Sequence, residues 1–219
     1  MRHGESPSCP PDSEGHQHRT GGSVEESNVH PDPIVQFRAW FDEAVAAGVR
    51  EPDAMTVATA GVAGMPAART VSLRGFDERG FAFYTNYGSP KARDLDENPR
   101  AAIVFHWREV ERQVRATGTV ARLSREESMA YWRNRPLGSR LSALISPQSE
   151  VVSDRAELEA ASEAAANRYG DDPPLPEFWG GFVVTPVEVE FWEGRPNRLH
   201  DRIRYHRVDD EWVRERLAP

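Results

Sequence analysis

The sequence predicts a mainly β protein with peripheral helices, in which six to eight antiparallel strands form a barrel. Short β-like runs, separated by Gly, Pro, Asn and Asp turn signals, recur over residues 54–123 and 182–217. Most of these runs are joined by hairpin-type connections, and no alternating strand–helix–strand pattern is present. The sequence also lacks the glycine-rich phosphate loops that are typical of nucleotide-binding sheets. These observations favour an antiparallel barrel over a doubly wound sheet.

The chain divides into a polar tail and a single domain. Residues 1–31 are rich in Ser, Gly, Pro, His and Glu, so they cannot bury enough apolar surface to offset the entropy of ordering. We therefore expect a disordered tail over 1–31 and one folded domain over 32–219. The only cysteine, Cys9, lies in the tail, which excludes a disulfide framework and a cysteine metal site within one chain.

Composition restricts the location and the partners. The net charge of −8 argues against a general nucleic-acid binder, because such proteins need a basic surface to contact phosphates. No apolar run approaches the ~18 residues of a membrane-spanning helix, and the N-terminus has no hydrophobic signal region. We expect a cytoplasmic protein that binds neither nucleic acid nor membrane. His, Asp and Glu show no metal-ligand spacing, so no metal site is expected.

Helix boundaries are marked by local signals. Asp32-Pro33 combines an N-cap with proline at the first helical position. The apolar positions that follow share one helical stripe: Ile34, Phe37, Phe41 and Val45. Later signals are Ser89-Pro90 before a short helix, a capping box of Ser124 and Glu127 before a helix to about Arg135, an ambiguous stretch over 138–150, and Ser153 before a helix reaching Gly170.

The predicted strands complete the domain. They cover 54–60, 67–74, 81–85, 101–107, 113–123, 182–192, 198–207 and 212–217. Pro186 lies inside the sixth of them, which indicates either an edge strand or a bulge.

The stretch 198–202 carries three groups that can bear positive charge at alternate positions. In a strand, Arg198, His200 and Arg202 would point to the same side. Two guanidiniums beside an imidazole suit a phosphate or carboxylate with a reacting proton nearby. Taken alone, the same alternation is also typical of a solvated strand face.

Three other clusters could bind anions. Arg69 and Arg74 lie at the two ends of one strand, on opposite faces by strand alternation unless the strand twists or bulges between them. Lys91, the only lysine, lies at the start of a helix, where free N–H groups favour anions. Tyr131 and Arg135 share a helix face, with Ser139 just beyond. Each cluster also has an ordinary structural explanation as strand ends, a helix cap or a surface pair.

Several polar or flat side chains suit a planar ring. Gln113 and the weaker pair Gln148-Ser149 can both donate and accept hydrogen bonds, although such groups also form cross-strand bonds. The indole of Trp192 could cover a ring or pack in the core. No Ser/His/Asp constellation is present. Separate anion clusters together with ring-compatible groups favour a phosphorylated planar cofactor and a phosphorylated substrate.

Several separated motifs resemble the pyridoxamine 5′-phosphate oxidase family from about Asp32 to Pro219. They are Arg69-Thr70-Val71, Phe83-Tyr84-Thr85-Asn86, Gly88-Ser89 with Lys91-Ala92, Glu111-Arg112-Gln113-Val114, Gln148-Ser149, Pro174-Leu175-Pro176 with Trp179-Gly180-Gly181, Glu190-Phe191-Trp192, Arg198-Leu199-His200-Asp201-Arg202 and Arg216-Leu217-Ala218-Pro219. The resemblance implies an FMN-binding split β-barrel that forms a homodimer with FMN at the interface.

The resemblance also implies an activity. It is the FMN-dependent oxidation of pyridoxamine or pyridoxine 5′-phosphate to pyridoxal 5′-phosphate, with O2 reduced to H2O2, in vitamin B6 salvage. The implied alternatives are a related flavin oxidase for another aromatic metabolite, such as a phenazine precursor, and a non-catalytic flavin or pyridoxal-phosphate binding module.

Site residues follow from the matched motifs. The implied FMN contacts are Arg69, Thr70, Val71, Ser72, Leu73, Arg74, Tyr84, Thr85, Lys91, Gln113, Gln148, Ser149, Trp192 and Arg202. The implied substrate contacts are Arg74, Tyr131, Arg135, Ser139, Arg198, Leu199 and His200, of which Arg198 and His200 would be catalytic. Two positions depart from the family pattern: Arg74 stands where Lys is usual, and Pro90 stands where an arginine commonly helps to bind the FMN phosphate.

Overall fold

A computed structural model describes Val24 and residues 27–219 of the chain. The prediction of tail disorder falls largely on residues 1–23 and 25–26, which lie outside the described residues, as do Cys9 and the first three histidines. From residue 27 onward, five helices and nine strands follow one another. The helices are α1 Pro33–Ala46, α2 Pro90–Glu97, α3 Arg125–Asn134, α4 Leu137–Ile145 and α5 Arg155–Tyr169. The strands are β1 Ala54–Ala60, β2 Pro66–Ser72, β3 Gly75–Asp77, β4 Gly80–Asn86, β5 Arg100–Trp107, β6 Arg112–Arg122, β7 Trp179–Glu193, β8 Asp201–Val208 and β9 Glu211–Arg216.

All nine strands form one antiparallel sheet. Its main path runs β2-β1-β5-β6-β7-β4-β3, and β8 joins β7 and carries β9. The predicted antiparallel class is confirmed, with β3 as an additional short strand in the turn expected around residue 77.

The 15-residue strand β7 is the centre of this sheet. One edge pairs with β6 along most of its length, whereas the other edge pairs first with β4, over residues 179–184, and then with β8, over 188–193. The register between β6 and β7 shifts next to Pro186. Because proline has no N–H for the ladder, a bulge accommodates it. Of the two predicted explanations for Pro186, the bulge applies and the edge strand does not.

Helix α1 covers an aromatic core. The side chain of Asp32 accepts from the backbone N–H of Ile34 and caps the helix, as predicted. Phe37 is fully buried and packs edge-on against Phe76 and Phe81, with ring centroids 4.9 Å apart in each case. The predicted stripe is wrong at Val45, which is 52% exposed, because the buried face continues through Trp40 and Ala44 instead.

Local signals predicted most helix ends. Ser124 and Glu127 form both bonds of the capping box that begins α3. Helix α4 occupies the first part of the ambiguous stretch over 138–150 and begins one residue before it, at Leu137. The cap of α5 is Asp154 and not Ser153, whose hydroxyl donates to Glu157 in the first turn instead.

The predicted strand over 198–207 is wrong at its start. Strand β8 begins at Asp201, and Arg198 lies in a 3₁₀ turn in which Asn197 and Arg198 have φ of 58° and 61°. Left-handed backbone at two successive residues breaks the alternation of a strand. Arg198 and His200 therefore both precede β8, and strand alternation does not place them on the same side as Arg202.

Packing against the core begins before the boundary predicted at residue 32. The side chain of Val29 is buried, and its carbonyl accepts from the Arg214 guanidinium. The carbonyl of His30 accepts from the buried Tyr205 hydroxyl at 2.8 Å. Residues just upstream of α1 thus lie against β8 and β9. In the part of the chain that is described, no helix is long and apolar enough to span a membrane.

The bulge in β7 leaves no room for a side chain at its neighbour Gly118 in β6, and this can be tested. A Cβ at this position would lie 2.0 Å from the Thr185 carbonyl oxygen, a backbone atom that cannot rotate away. We expect Gly118→Ala to lower the free energy of unfolding by about 2–4 kcal/mol, measured by urea denaturation. Gly75→Ala, in an edge strand with open space around the new Cβ, is the control. Equal stability of the two variants would contradict the close approach.

Candidate functional site

A cavity of about 660 Å³ opens between β2, β4 and the helices α2–α4. Four cationic side chains line it: Arg69, Arg74, Lys91 and Arg135. None of the described residues that line it is acidic. In a chain of net charge −8, this is a local excess of positive charge, and the volume is in the range of small-molecule sites. The cavity is therefore suited to an anionic small molecule.

Lys91 supplies the first anion-binding group. Its side chain is buried near the start of α2, and Nζ donates to the Thr85 hydroxyl at 3.1 Å, the Ser89 hydroxyl at 3.2 Å and Gln148 Oε1 at 3.0 Å. All three acceptors are neutral, so they fix the ammonium without neutralising it. Burial and then the positive charge of Arg69 lower the pKa of Lys91 to about 8. An anion placed here would replace the lost hydration.

The arginines of the 69–74 segment both reach this cavity. Strand alternation predicted opposite faces for them, but β2 ends at Ser72, so Arg74 lies beyond the strand and is free of its alternation. Arg74 donates to Asp53 at 3.1 Å. Thr70, Val71 and Ser72 also line the cavity, whereas the Leu73 side chain is buried in the core.

A second anion-binding group lies among aromatic rings. The rings of Tyr84 and Tyr131 stack with centroids 4.0 Å apart, and Trp179 continues the stack 5.4 Å from Tyr84. The guanidinium of Arg135 lies 4.7 Å from the Trp179 centroid. Its NH1 atom is buried and has no hydrogen-bond partner among the described residues, and burial lowers the pKa of Arg135. An unpaired buried guanidinium is costly unless a ligand anion completes it.

The helix after the Pro136 break adds hydroxyls that the sequence analysis missed. Ser139 lines the cavity as predicted, and Ser142 and Ser146 lie beside it. Their spacing of three and seven residues is that of one helix face, so periodicity could have found them. Asn86 and Trp179 were also missed, although both belong to the quoted motifs. Other lining residues are Gly138, Ala143 and the predicted Thr85, Gln148 and Ser149.

The remaining predicted site residues lie outside this cavity. Gln113, Trp192 and Arg202 are directly opposite one another on β6, β7 and β8, and so form one row across three strands. A row of this kind places an amide, an indole and a guanidinium side by side.

A buried carboxylate holds the arginine of this row. Glu190 is 2% exposed, and Arg202 Nε donates to its Oε1 at 2.8 Å. The Arg115 guanidinium also donates to Glu190. Burial alone would raise the pKa of Glu190, but the two arginines outweigh it and hold that pKa below its usual value. A further bond from Arg202 NH1 to the Ala218 carbonyl, at 2.7 Å, fixes the orientation of the guanidinium.

The turn before β8 carries the predicted catalytic pair. The His200 ring packs on Trp192 with centroids 4.6 Å apart, and its Nδ1 accepts from the backbone N–H of Arg195 at 3.1 Å. The neutral ring therefore carries its proton on Nε2. Arg198 is exposed, and Leu199 is 70% exposed. This turn thus presents its charged groups to the surface of the described chain.

Comparison with known proteins gives matches along most of the chain. Residues 41–169 match the family model described as pyridoxamine 5′-phosphate oxidase, and residues 179–219 match the pyridoxine 5′-phosphate oxidase C-terminal dimerisation region. A pyridoxine/pyridoxamine 5′-phosphate oxidase of Salinibacter ruber is 56% identical over 90% of this chain and 93% of its own length. One from Thermosynechococcus vestitus is 55% identical over 89% and 92%.

Solved structures show the same fold. PhzG from Burkholderia lata 383, in complex with tetrahydrophenazine-1-carboxylic acid, has a TM-score of 0.84 and 32% identity over 88% of this chain and 95% of its own. A pyridoxamine 5′-phosphate oxidase-related, FMN-binding protein of Nostoc punctiforme has a TM-score of 0.68 and 24% identity, covering 84% and 97%. The expected split-barrel class is thereby confirmed.

The lowered pKa of Lys91 gives a pH-dependent prediction. Between pH 8 and about 10.4 the unfolded chain holds a proton on this lysine that the folded chain has lost, so folding gains stability as pH rises through that window. We expect the stability of the wild type, measured relative to Lys91→Met in phosphate-free buffer, to increase from pH 7 to pH 10. Urea denaturation at several pH values measures it. A difference that does not change with pH would contradict the burial of an unneutralised ammonium.

Proposed function

The chain belongs to the pyridoxamine 5′-phosphate oxidase family, and we propose that its cationic cavity and its β6–β8 row are two halves of one flavin and substrate site. It is an FMN-dependent oxidoreductase that converts pyridoxine or pyridoxamine 5′-phosphate to pyridoxal 5′-phosphate. The observation that carries the placement of the site is the cavity that four cations line, with no acidic side chain among the described residues around it. Both ligands of this reaction carry a phosphate, and the cavity offers two separate anion-binding groups.

The FMN phosphate is assigned to the group around Lys91. Buried hydroxyl and amide groups already orient the ammonium, and Arg69 lies close enough to lower its pKa. Pro90 stands at the position next to the lysine where the family commonly has an arginine. The absence of that arginine leaves Lys91 and Arg69 as the cations of this group, so each of them matters more here.

The substrate phosphate is assigned to Tyr131, Arg135 and Ser139, with Arg74 nearby. The unpaired NH1 of Arg135 supports this assignment, because a phosphate oxygen would satisfy it. Arg74 replaces the usual lysine and is held by Asp53, so its planar guanidinium has a fixed direction that an ammonium would lack. The stack of Tyr84, Tyr131 and Trp179 offers a flat apolar wall beside this phosphate group.

The two halves of the site cannot meet within one chain. Trp179 lines the cavity at the first residue of β7, whereas Trp192 lies near the last. Thirteen strand positions at ~3.3 Å each separate them by roughly 40 Å. One flavin cannot contact both ends. The match of residues 179–219 to a dimerisation region supports a homodimer in which the row of one chain faces the cavity of its partner.

Arg198 and His200 are assigned to the substrate. When bound, FMN accepts the two electrons that leave the C4′ carbon and passes them to O2. Arg198 positions the substrate from an exposed turn, where a partner chain can be reached. His200 is restricted to the Nε2–H tautomer by its bond from the Arg195 backbone, so it faces the substrate as a hydrogen-bond donor. Gln113, Trp192 and Arg202 are assigned to the flavin ring and its polar edge.

An anaerobic spectrum tests the function directly. The purified full-length protein should be yellow, and the flavin absorbance should bleach when pyridoxamine or pyridoxine 5′-phosphate is added without oxygen. Readmission of oxygen should restore the colour and release H2O2. Flavin binding without bleaching would support a binding module instead. Bleaching by an aromatic carboxylate without phosphate, and not by the two phosphates, would support a different flavin oxidase.

Hybrid dimers test the two-chain site. Arg135→Ala damages the cavity half, and Arg198→Ala damages the other half, which consists of the β6–β8 row and the turn before β8. Each homodimer should lose activity by about 100-fold or more, while the Arg198→Ala dimer should still bind FMN. A dimer with one chain of each kind has one doubly damaged and one intact site, so it should recover roughly half of the wild-type activity. Differently tagged chains, co-expressed and purified through both tags, give this hybrid for a steady-state assay.

Two controls make the result decisive. A hybrid of the wild type with the doubly substituted chain should have two sites with one damaged half each, and should be nearly inactive. If the two halves came from the same chain, that hybrid would be half active and the first hybrid inactive. The two placements therefore predict opposite results.

A further inference from the structure

A chain of hydrogen bonds leads from helix α2 to the cavity through a buried threonine. The Thr59 hydroxyl, in β1, donates to Asp94 Oδ2 at 2.6 Å. The same hydroxyl accepts from Arg69 NH1 at 2.7 Å, and the Val57 carbonyl accepts from NH1 at 3.3 Å. Thr59 is 3% exposed, so water has little access to this connection. Neither Thr59 nor Asp94 lines the cavity.

The chemistry of the three groups sets the direction of these bonds. An ionised carboxylate only accepts hydrogen bonds, and a guanidinium only donates them. The single proton of the Thr59 hydroxyl must therefore point to Asp94, which leaves its lone pairs for Arg69. The order of donors and acceptors has no alternative as long as Asp94 is ionised.

The hydroxyl also keeps the carboxylate away from the guanidinium. Both acceptors of Arg69 are neutral oxygens, and no carboxylate forms an ion pair with it among the residues from 27 onward. Arg202 is the contrasting case, since Glu190 binds it directly. Arg69 is thus held in one orientation without a direct ion pair, and it lies close to Lys91, whose three acceptors are all neutral.

We propose that Asp94 and Thr59 are positioning residues that fix Arg69 for the 5′-phosphate of the flavin. The inference rests on the proposed function, which assigns that phosphate to Lys91 and Arg69. In this chain Pro90 supplies no second cation next to Lys91, so the orientation of Arg69 has a larger share in phosphate binding. The role of Asp94 passes through Thr59, because the carboxylate itself touches no ligand.

A purely structural role for Asp94 has to be separated from the proposed role in positioning Arg69. The last residue of helix α2, Glu97, also contacts the turn after β1, where its carboxylate accepts from the backbone N–H of Val62 at 3.2 Å. The next residue, Asn98, donates to the Ala60 carbonyl at the end of β1. Removal of either carboxylate deletes one negative charge and one contact of the helix, with β1 for Asp94 and with the turn after β1 for Glu97. Glu97→Ala is therefore a matched control for Asp94→Ala.

The experiment compares two flavins on full-length protein freed of flavin. Dissociation constants for FMN and for riboflavin, which lacks the phosphate, are measured by quenching of flavin fluorescence. Asp94→Ala and Thr59→Val should bind FMN about tenfold more weakly and riboflavin as the wild type does. Thr59→Ser, which keeps the hydroxyl, should bind both flavins as the wild type does. Glu97→Ala should change neither constant.

Other outcomes would overturn the proposal. Wild-type FMN affinity in Asp94→Ala, an equal loss for both flavins, or the same loss in Glu97→Ala would leave Asp94 with a structural role only. Unchanged riboflavin binding also shows that a variant is folded. If the wild type itself does not prefer FMN to riboflavin, the assignment of the phosphate to Lys91 and Arg69 fails first. Failure of the positioning role of Asp94 and failure of the proposed phosphate site are therefore distinguishable.

Discussion

The pairing of one long strand with three neighbours is the constraint on which the architecture depends. Strand β7 pairs with β6 along one edge and divides its other edge between β4 and β8. Pro186 lies where that edge changes partner, and its missing N–H would leave a gap in any continuous ladder. Strand β7 accommodates Pro186 with a bulge and continues without interruption. As a result, two groups of polar and aromatic side chains are held at opposite ends of a single rigid element.

The two ends use different electrostatic designs. At the β8 end, the buried Glu190 carboxylate forms ion pairs with both Arg202 and Arg115, which suits side chains that meet a ring and its polar edge. At the cavity end, Arg74 is paired with Asp53, whereas Arg69 and Lys91 are held by hydroxyls, an amide and a carbonyl that carry no net charge. Such charges are costly to bury, and the free energy for holding them comes from the aromatic core and the sheet. They are oriented before a ligand arrives, so binding needs little rearrangement.

Sequence reasoning succeeded where the physics is local. The capping box of Ser124 and Glu127 and the cap at Asp32 depend on neighbours within a turn, and both are present. It failed at Asn197 and Arg198, because no short-range pattern indicates left-handed backbone at two non-glycine residues. Tyr131 and Arg135 were correctly placed together because they are four residues apart. That Lys91 donates to Gln148, 57 positions later, depends on how the segment after α4 folds back on the sheet. The sequence likewise carries no sign that Thr59 connects α2 to β2.

The isolation of the only lysine has a chemical consequence. Pyridoxal 5′-phosphate is an aldehyde, and lysine amines form imines with it readily. A protein that releases this compound at its own surface would ordinarily expose several ε-amines to it. Here every other basic side chain of the Lys/Arg type is arginine, and the one ε-amine is 8% exposed and bound to three acceptors. The chain therefore offers its reactive product almost no side-chain amine to modify.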